Sequence, residues 1–201
     1  MRWPLRWRLL ARAMFWVAGW EFEGGTPDAP KYVLVSAPHT SNWDLPLMLA
    51  AAILGEVDLK FMVKHTVFVG PLGWLLKRLG GIPIVRHEKH SVVQQMIDRF
   101  AASESLALSI PPEGTRQRMP YWKSGFYRIA LGANVPLMRG YLDYRRKRAS
   151  CGTIQVLTGD VTRDMDALRA YYAEKTPRHP ELFGPVRLES EVPPEEAAPR
   201  P

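Results

Sequence analysis

The chain has 201 residues, enough for one domain with a sizeable core, and a net charge of +7 from 27 Lys and Arg against 20 Asp and Glu. That balance favours anionic partners, and seven tryptophans turn the expectation toward lipid headgroups rather than nucleic acid. A single cysteine, Cys151, excludes an internal disulfide framework, and the longest clean apolar run, Leu45 to Leu54, is ten residues, too short to span a bilayer.

In residues 1–24, Trp3, Trp7, Leu10, Met14 and Val17 recur in steps of three and four, and Arg2, Arg6, Arg8 and Arg12 lie off that stripe. The pattern suits an amphipathic helix lying in a membrane interface; it equally suits a first helix packing that stripe on the domain. Leu5, Leu9 and Trp16 fall on the other side, so the amphipathicity is imperfect. The early arginines imitate a secretory leader, but the apolar part after Arg12 is short, rich in Trp and lacks a small-x-small cleavage site, so no cleavage is expected. Gly24-Gly25 and Pro27 to Pro30 then break the chain.

Residues 25–188 read as one domain. Strands are predicted over Tyr32–Ser36, Asp58–Val63, Ile82–Arg86, Ser105–Ile110, Pro136–Gly140 and Thr153–Leu157. Helices are predicted from near Trp43, within Val67–Leu79 after Pro71, and over Ser91–Ala102, Phe126–Leu131 and Met165–Lys175, with a basic turn at Tyr144 to Arg148. Ser41 and Asp44 have the spacing of a capping box for the first of these helices after the break. The alternation predicts an α/β fold with a mixed, mainly parallel sheet flanked by helices. Residues 189–201, rich in Pro, Glu and Ala, are expected to be disordered.

In such sheets the loops at strand C-termini build the site. His39, Arg86 and Glu113 to Arg116 all fall there. A histidine with an aspartate five positions on, across a strand-to-helix loop, is the core of a general-base site: the carboxylate holds the ring while the ring takes a proton. His87 and His90 beside Glu88 lack the H-E-x-x-H spacing and a third ligand, so no metal is expected. Arg145 to Arg148 is too small a cluster to indicate nucleic acid; it reads as a solvated loop or a contact to a lipid headgroup or another phosphate-bearing ligand.

Four blocks occur in order: His39-Thr40-Ser41-Asn42-Trp43-Asp44, Gly81 to Arg86, Pro112-Glu113-Gly114-Thr115-Arg116, and Val135-Pro136. In them the chain resembles the glycerolipid acyltransferases related to 1-acylglycerol-3-phosphate acyltransferase, over about Tyr32 to Arg139. The resemblance implies a glycerol-3-phosphate acyltransferase-like fold and transfer of a fatty acyl group to a lysophospholipid hydroxyl in phospholipid biosynthesis. The implied donor is acyl-CoA or acyl carrier protein, and the first acceptor expected is 1-acylglycerol-3-phosphate. His39 would be the base and Asp44 its partner, with Arg86, Glu113, Gly114, Thr115 and Arg116 forming the acceptor site. Arg116 offers a planar fork for phosphate oxygens, Gly114 permits close backbone approach, and Glu113 would orient Arg116 or hold a hydroxyl; Thr115 has the alternative of bonding only to its own loop. No cofactor beyond the acyl donor is implied, and the expected location is the cytoplasmic face of a membrane, peripheral or monotopic. Gln117 where the family often has serine, and Ile110-Pro111 in place of an aromatic before the Pro-Glu pair, leave the acceptor open. Another lysolipid, such as an aminolipid precursor, and a non-catalytic anionic-lipid binder on the same scaffold are the alternatives.

Overall fold

The computed structural model describes residues 3–25, 27–84 and 89–192, with backbone alone at 89–91. In chain order the elements are α1 (Leu5–Ala18), β1 (Glu21–Glu23), β2 (Lys31–Ser36), α2 (Asp44–Leu54), β3 (Leu59–Lys64), α3 (Gly70–Arg78), β4 (Gly81–Ile84), α4 (Lys89–Ala102), β5 (Leu106–Ile110), α5 (Gly125–Gly132), β6 (Leu137–Asp143), β7 (Arg148–Ser150), β8 (Ile154–Gln155) and α6 (Val161–Tyr172). The sheet runs β1-β7-β6-β2-β5-β3-β4, with β8 also paired to β6. All neighbours from β6 through β4 are parallel, and only the β6 pairs with β7 and β8 are antiparallel. The fold is α/β, with a mostly parallel sheet flanked by helices.

β2 lies between β5 and β6, and its alternation divides the core in two. Successive side chains of a strand point to opposite faces. Val33 and Val35 therefore pack with Phe100 of α4, Phe126 of α5 and Leu168 of α6, while Tyr32 and Leu34 pack on the other side with Ala52 of α2. Burying one such side chain fully is worth about 1.5–3 kcal/mol. The Tyr172 hydroxyl, buried at the end of α6, lies 3.1 Å from Val35 O and 3.0 Å from Gly140 O, tying α6 to both β2 and β6.

α1 packs on α2 through only part of the stripe expected from spacing: Met14 joins the contact, and Trp3 Nε1 donates to Val57 O at 2.9 Å. Its buried residues are Ala11 and Phe15, which join Trp20, Leu47 and Ala50 in a small cluster. Leu10 and Val17, assigned to the stripe, are exposed, and so are Leu5, Leu9 and Trp16. The small Ala11 lets the helix approach α2 closely, and size at the contact decides the face where hydrophobicity alone does not. Arg8, on the flank, pairs with Glu56 at 3.1 Å. No described helix is long and apolar enough to cross a membrane.

The short strands β1 and β7 were not expected, and β8 is two residues rather than five. Gly152, at φ 87°, has its Cα so close to the Arg139 carbonyl that an added Cβ would lie 1.9 Å from that oxygen; beyond it the strand pairing is brief. α6 begins at Val161, four residues before the predicted start, because the Asp160 side chain accepts from Arg163 N and caps it. Residues 189–191, placed in the disordered tail, form a 3-10 turn: Glu191 accepts from Arg169 Nη1 at 3.0 Å and from Leu188 N at 2.8 Å. Residues 193–201 lie outside the described residues.

Candidate active site

β2 ends at Ser36, and the chain runs through His39 and Thr40 into α2, whose first residue is Asp44. The Asp44 carboxylate folds back over this loop. Its Oδ2 accepts from Ser41 N at 2.8 Å, from Thr40 N at 2.9 Å and lies 3.1 Å from His39 Nδ1. Its Oδ1 accepts from the Tyr144 hydroxyl at 2.6 Å. The reciprocal cap is present in shifted form, since Ser41 Oγ accepts from Trp43 N at 3.2 Å rather than from Asp44 N. Burial opposes ionisation of Asp44, yet the bonds from His39, Tyr144 and the Ser41 backbone outweigh it and hold the carboxyl below its ordinary value. An ionised carboxylate only accepts, so His39 Nδ1 carries the hydrogen and Nε2 keeps its lone pair. That nitrogen is the one available to take a proton.

Glu113, on the loop after β5, is buried to 3% exposure, and its Oε1 accepts the backbone N–H of His39 at 2.9 Å. It therefore braces the His39 loop, and among the described residues no bond joins it to Arg116, the first of its two expected roles. Its Oε2 has no partner among the described residues. Burial pushes this carboxyl up from 4.5 to about 7, with the Asp44 charge acting in the same direction and the bond from His39 N against it. Gly114 sits at φ 66°, and an added Cβ would come 2.9 Å from Lys123 Cδ. The close approach that this glycine permits is that of the Lys123 stem. Thr115 Oγ1 accepts from Gln117 N at 3.3 Å, a bond within its own loop. Arg116 is exposed and lines the cavity described below. Arg86 lies outside the described residues.

His39, Asp44 and Arg116 border a cavity of about 370 Å³ between α2 and the sheet. Its walls are mainly apolar, with Leu34, Met48, Ala52, Phe61, Leu72 and Leu76 contributing. Cys151 also lines it, but burial pushes the thiol up to about 12, so it serves as wall rather than nucleophile. Among the described residues no group of three His, Cys, Asp or Glu is placed to hold a metal ion.

Tyr144 escaped the reading of the site from sequence. It stands 100 positions after Asp44 and reaches it because β6 runs parallel beside β2. Its ring meets Trp20 edge-on at 4.9 Å, which fixes its direction. Only its place just after a predicted strand gave any sign.

A histidine held by a buried carboxylate beside a deep apolar cavity suits an enzyme acting on a long apolar substrate. The chain belongs to the acyltransferase family: the family model described as Acyltransferase matches residues 23–139, more than half of its length. Among solved structures the chain is similar to the 1-acyl-sn-glycerophosphate (LPA) acyltransferase PlsC from Thermotoga maritima, at 20% identity and a TM-score of 0.47, over 66% of this chain and 54% of that one. The chain thus spans about half the length of that protein. Comparison with curated proteins gives no match.

Proposed function

We propose that the protein transfers a fatty acyl group from a thioester, acyl-CoA or acyl carrier protein, to the hydroxyl of a lysophospholipid, with 1-acylglycerol-3-phosphate as the acceptor and a diacylated phospholipid precursor as the product. The observation that carries this reading is the His39–Asp44 pair bordering an apolar cavity beside the exposed Arg116. His39 Nε2 takes the proton of the acceptor hydroxyl as its oxygen attacks the thioester carbonyl, and Asp44 stabilises the imidazolium that forms. Collapse of the tetrahedral intermediate breaks the C–S bond. The leaving thiolate takes the proton back from His39, leaving an ester and a free thiol. A thiol with a pKa of about 8.5 leaves readily, so no covalent enzyme intermediate is needed.

Arg116 binds the acceptor phosphate, and an acyl chain lies along the cavity under α2. The enzyme works at the cytoplasmic surface of a membrane, as a peripheral protein. Support comes from two exposed apolar surfaces, Leu5, Leu9 and Trp16 on α1, and Val69, Leu72 and Trp74 around α3. Leu72 belongs both to the second surface and to the cavity wall. A chain leaving a bilayer would then enter the site without crossing water.

The test is thiol release from long-chain acyl-CoA, and from acyl carrier protein, against a panel of lysolipids, with His39→Ala in parallel. Release that requires 1-acylglycerol-3-phosphate and falls at least ~100-fold in the folded variant is expected. Release with a different lysolipid alone would reassign the acceptor, and near-normal release by His39→Ala would defeat the base assignment.

A further inference from the structure

The loops after β5 and β6 flank the His39 loop on opposite sides, because β2 lies between those strands and all three are parallel. Arg116 is on the β5 side. On the β6 side stand Arg145, Arg146 and Arg178, all exposed. The only carboxylate paired with any of the three among the described residues is Asp143, whose Oδ2 is 3.9 Å from Arg146 Nε.

This second cationic group is fastened to the base. Tyr144, which precedes Arg145, bonds Asp44 Oδ1 through its hydroxyl at 2.6 Å, and its N–H donates to Thr176 O at 2.8 Å. His179 N donates to Thr40 Oγ1 at 3.2 Å, tying the residue after Arg178 to the residue after His39. Asp143 Oδ1 accepts from Arg145 N at 3.1 Å and Arg146 N at 3.2 Å, which sets the turn. The Arg178 guanidinium carbon lies 5.9 Å from the ring centroids of both Trp43 and Tyr144. Three loops are thus bonded to one another around the catalytic pair, and each fixes the direction of a cation or of the aromatic ring beneath it.

We propose that Arg145, Arg146 and Arg178 hold the phosphate-bearing arm of a phosphopantetheinyl thioester donor, on the side of His39 away from Arg116. The inference rests on the acyl-transfer reading above and divides its two substrates. Both carry phosphate, and one base must meet the hydroxyl of one and the carbonyl of the other. Arg116 lines the apolar cavity, whereas none of these three arginines does, so their ligand is a polar arm lying outside it. Guanidinium forks match phosphate oxygens, and the exposed Trp43 ring beside Arg178 gives a flat surface on which a nucleobase can stack.

The experiment uses the full chain with Arg145 and Arg178 both changed to Gln. KM is measured for a long-chain acyl-CoA, for the same acyl group on acyl carrier protein, and for S-acyl-pantetheine, which has no phosphate; free coenzyme A is titrated separately by calorimetry. A rise of about 10-fold or more in KM for acyl-CoA is expected, with the acyl-pantetheine and acceptor KM values unchanged. Arg145→Gln combined with Arg178→Lys should restore part of the loss. An equal rise with acyl carrier protein assigns the pantetheine phosphate, and a rise with acyl-CoA alone assigns the nucleotide phosphates. Unchanged KM for both phosphorylated donors, or an equal rise for acyl-pantetheine, overturns the proposal. If no acceptor supports turnover, calorimetry still decides: coenzyme A binding weakened by the double change but not by Arg116→Gln supports the site, and equal or absent binding overturns it.

Discussion

Glu113 lends itself to a quantitative test through Glu113→Gln. The buried carboxyl stands at about 7 against an ordinary 4.5. Between those values the folded protein keeps a proton that the unfolded chain has released. Stability therefore falls as pH rises through this window and levels off above it. At about 1.4 kcal/mol per pH unit, the whole fall is about 3 kcal/mol. Almost no solvent reaches the group, so screening reduces this little. Glutamine keeps an oxygen for the His39 N–H but cannot ionise. Its extra N–H₂ group imposes a cost that does not vary with pH, so it cancels from the slope. Guanidinium unfolding followed by tryptophan fluorescence, at half-unit steps from pH 4 to pH 8.5, reads both proteins. The variant should gain about 3 kcal/mol on the wild type between the ends of the window. Parallel stability curves would refute the reasoning, and so would a variant that loses ground as pH rises.

Tyr144→Phe removes one of four donors to Asp44, and a hydrogen bond to a charged acceptor is worth about 1.5–3 kcal/mol. About a 10-fold fall in kcat with acceptor KM unchanged is expected, and the Asp44 carboxyl should rise, so that its contribution to stability is lost at a higher pH on acidification; an unaltered acid limb would remove Tyr144 from the site. Ala52 faces the cavity about 12 Å along α2 from Asp44, at 1.5 Å per residue. Ala52→Leu should shift donor preference to shorter acyl chains in a competition assay, and an unchanged length profile would place the chain elsewhere. Leu72→Glu with Trp74→Glu should reduce sedimentation with anionic phospholipid vesicles while leaving the melting temperature near that of the wild type, because both side chains are exposed. Undiminished sedimentation would clear the α3 surface of membrane contact.

What was legible in the sequence follows from the range of the forces involved. β2 and β5 are short, mainly apolar and each followed closely by a proline, so they read at once, and the close pairing of His39 with Asp44 is local, spanning one loop. β1 and β7 are three residues each and exist only because they pair with each other and with β6; no propensity over three residues marks them. The contact face of α1 was only partly legible, because Ala11 and Phe15, which lie off the stripe, are buried most deeply while Met14 of the stripe packs beside them. The residues meeting Asp44 and Glu113 were illegible for another reason. Tyr144 reaches Asp44 across 100 positions and Glu113 reaches His39 across 74, and only the strand order β6-β2-β5 brings them together.

α2 has two duties on one rigid rod. Its first residue carries the carboxylate that holds the His39 ring, and Met48 and Ala52 further along form the cavity wall. A bulkier residue at its far end pushes on the same cylinder that aims Asp44, so a change of chain length made there will tend to be felt as a change of rate. The opposite wall, with Phe61 on β3 and Leu72 on α3, holds neither member of the pair. On the proposed reading, the cavity can change shape on that side while the His39–Asp44 geometry stands still.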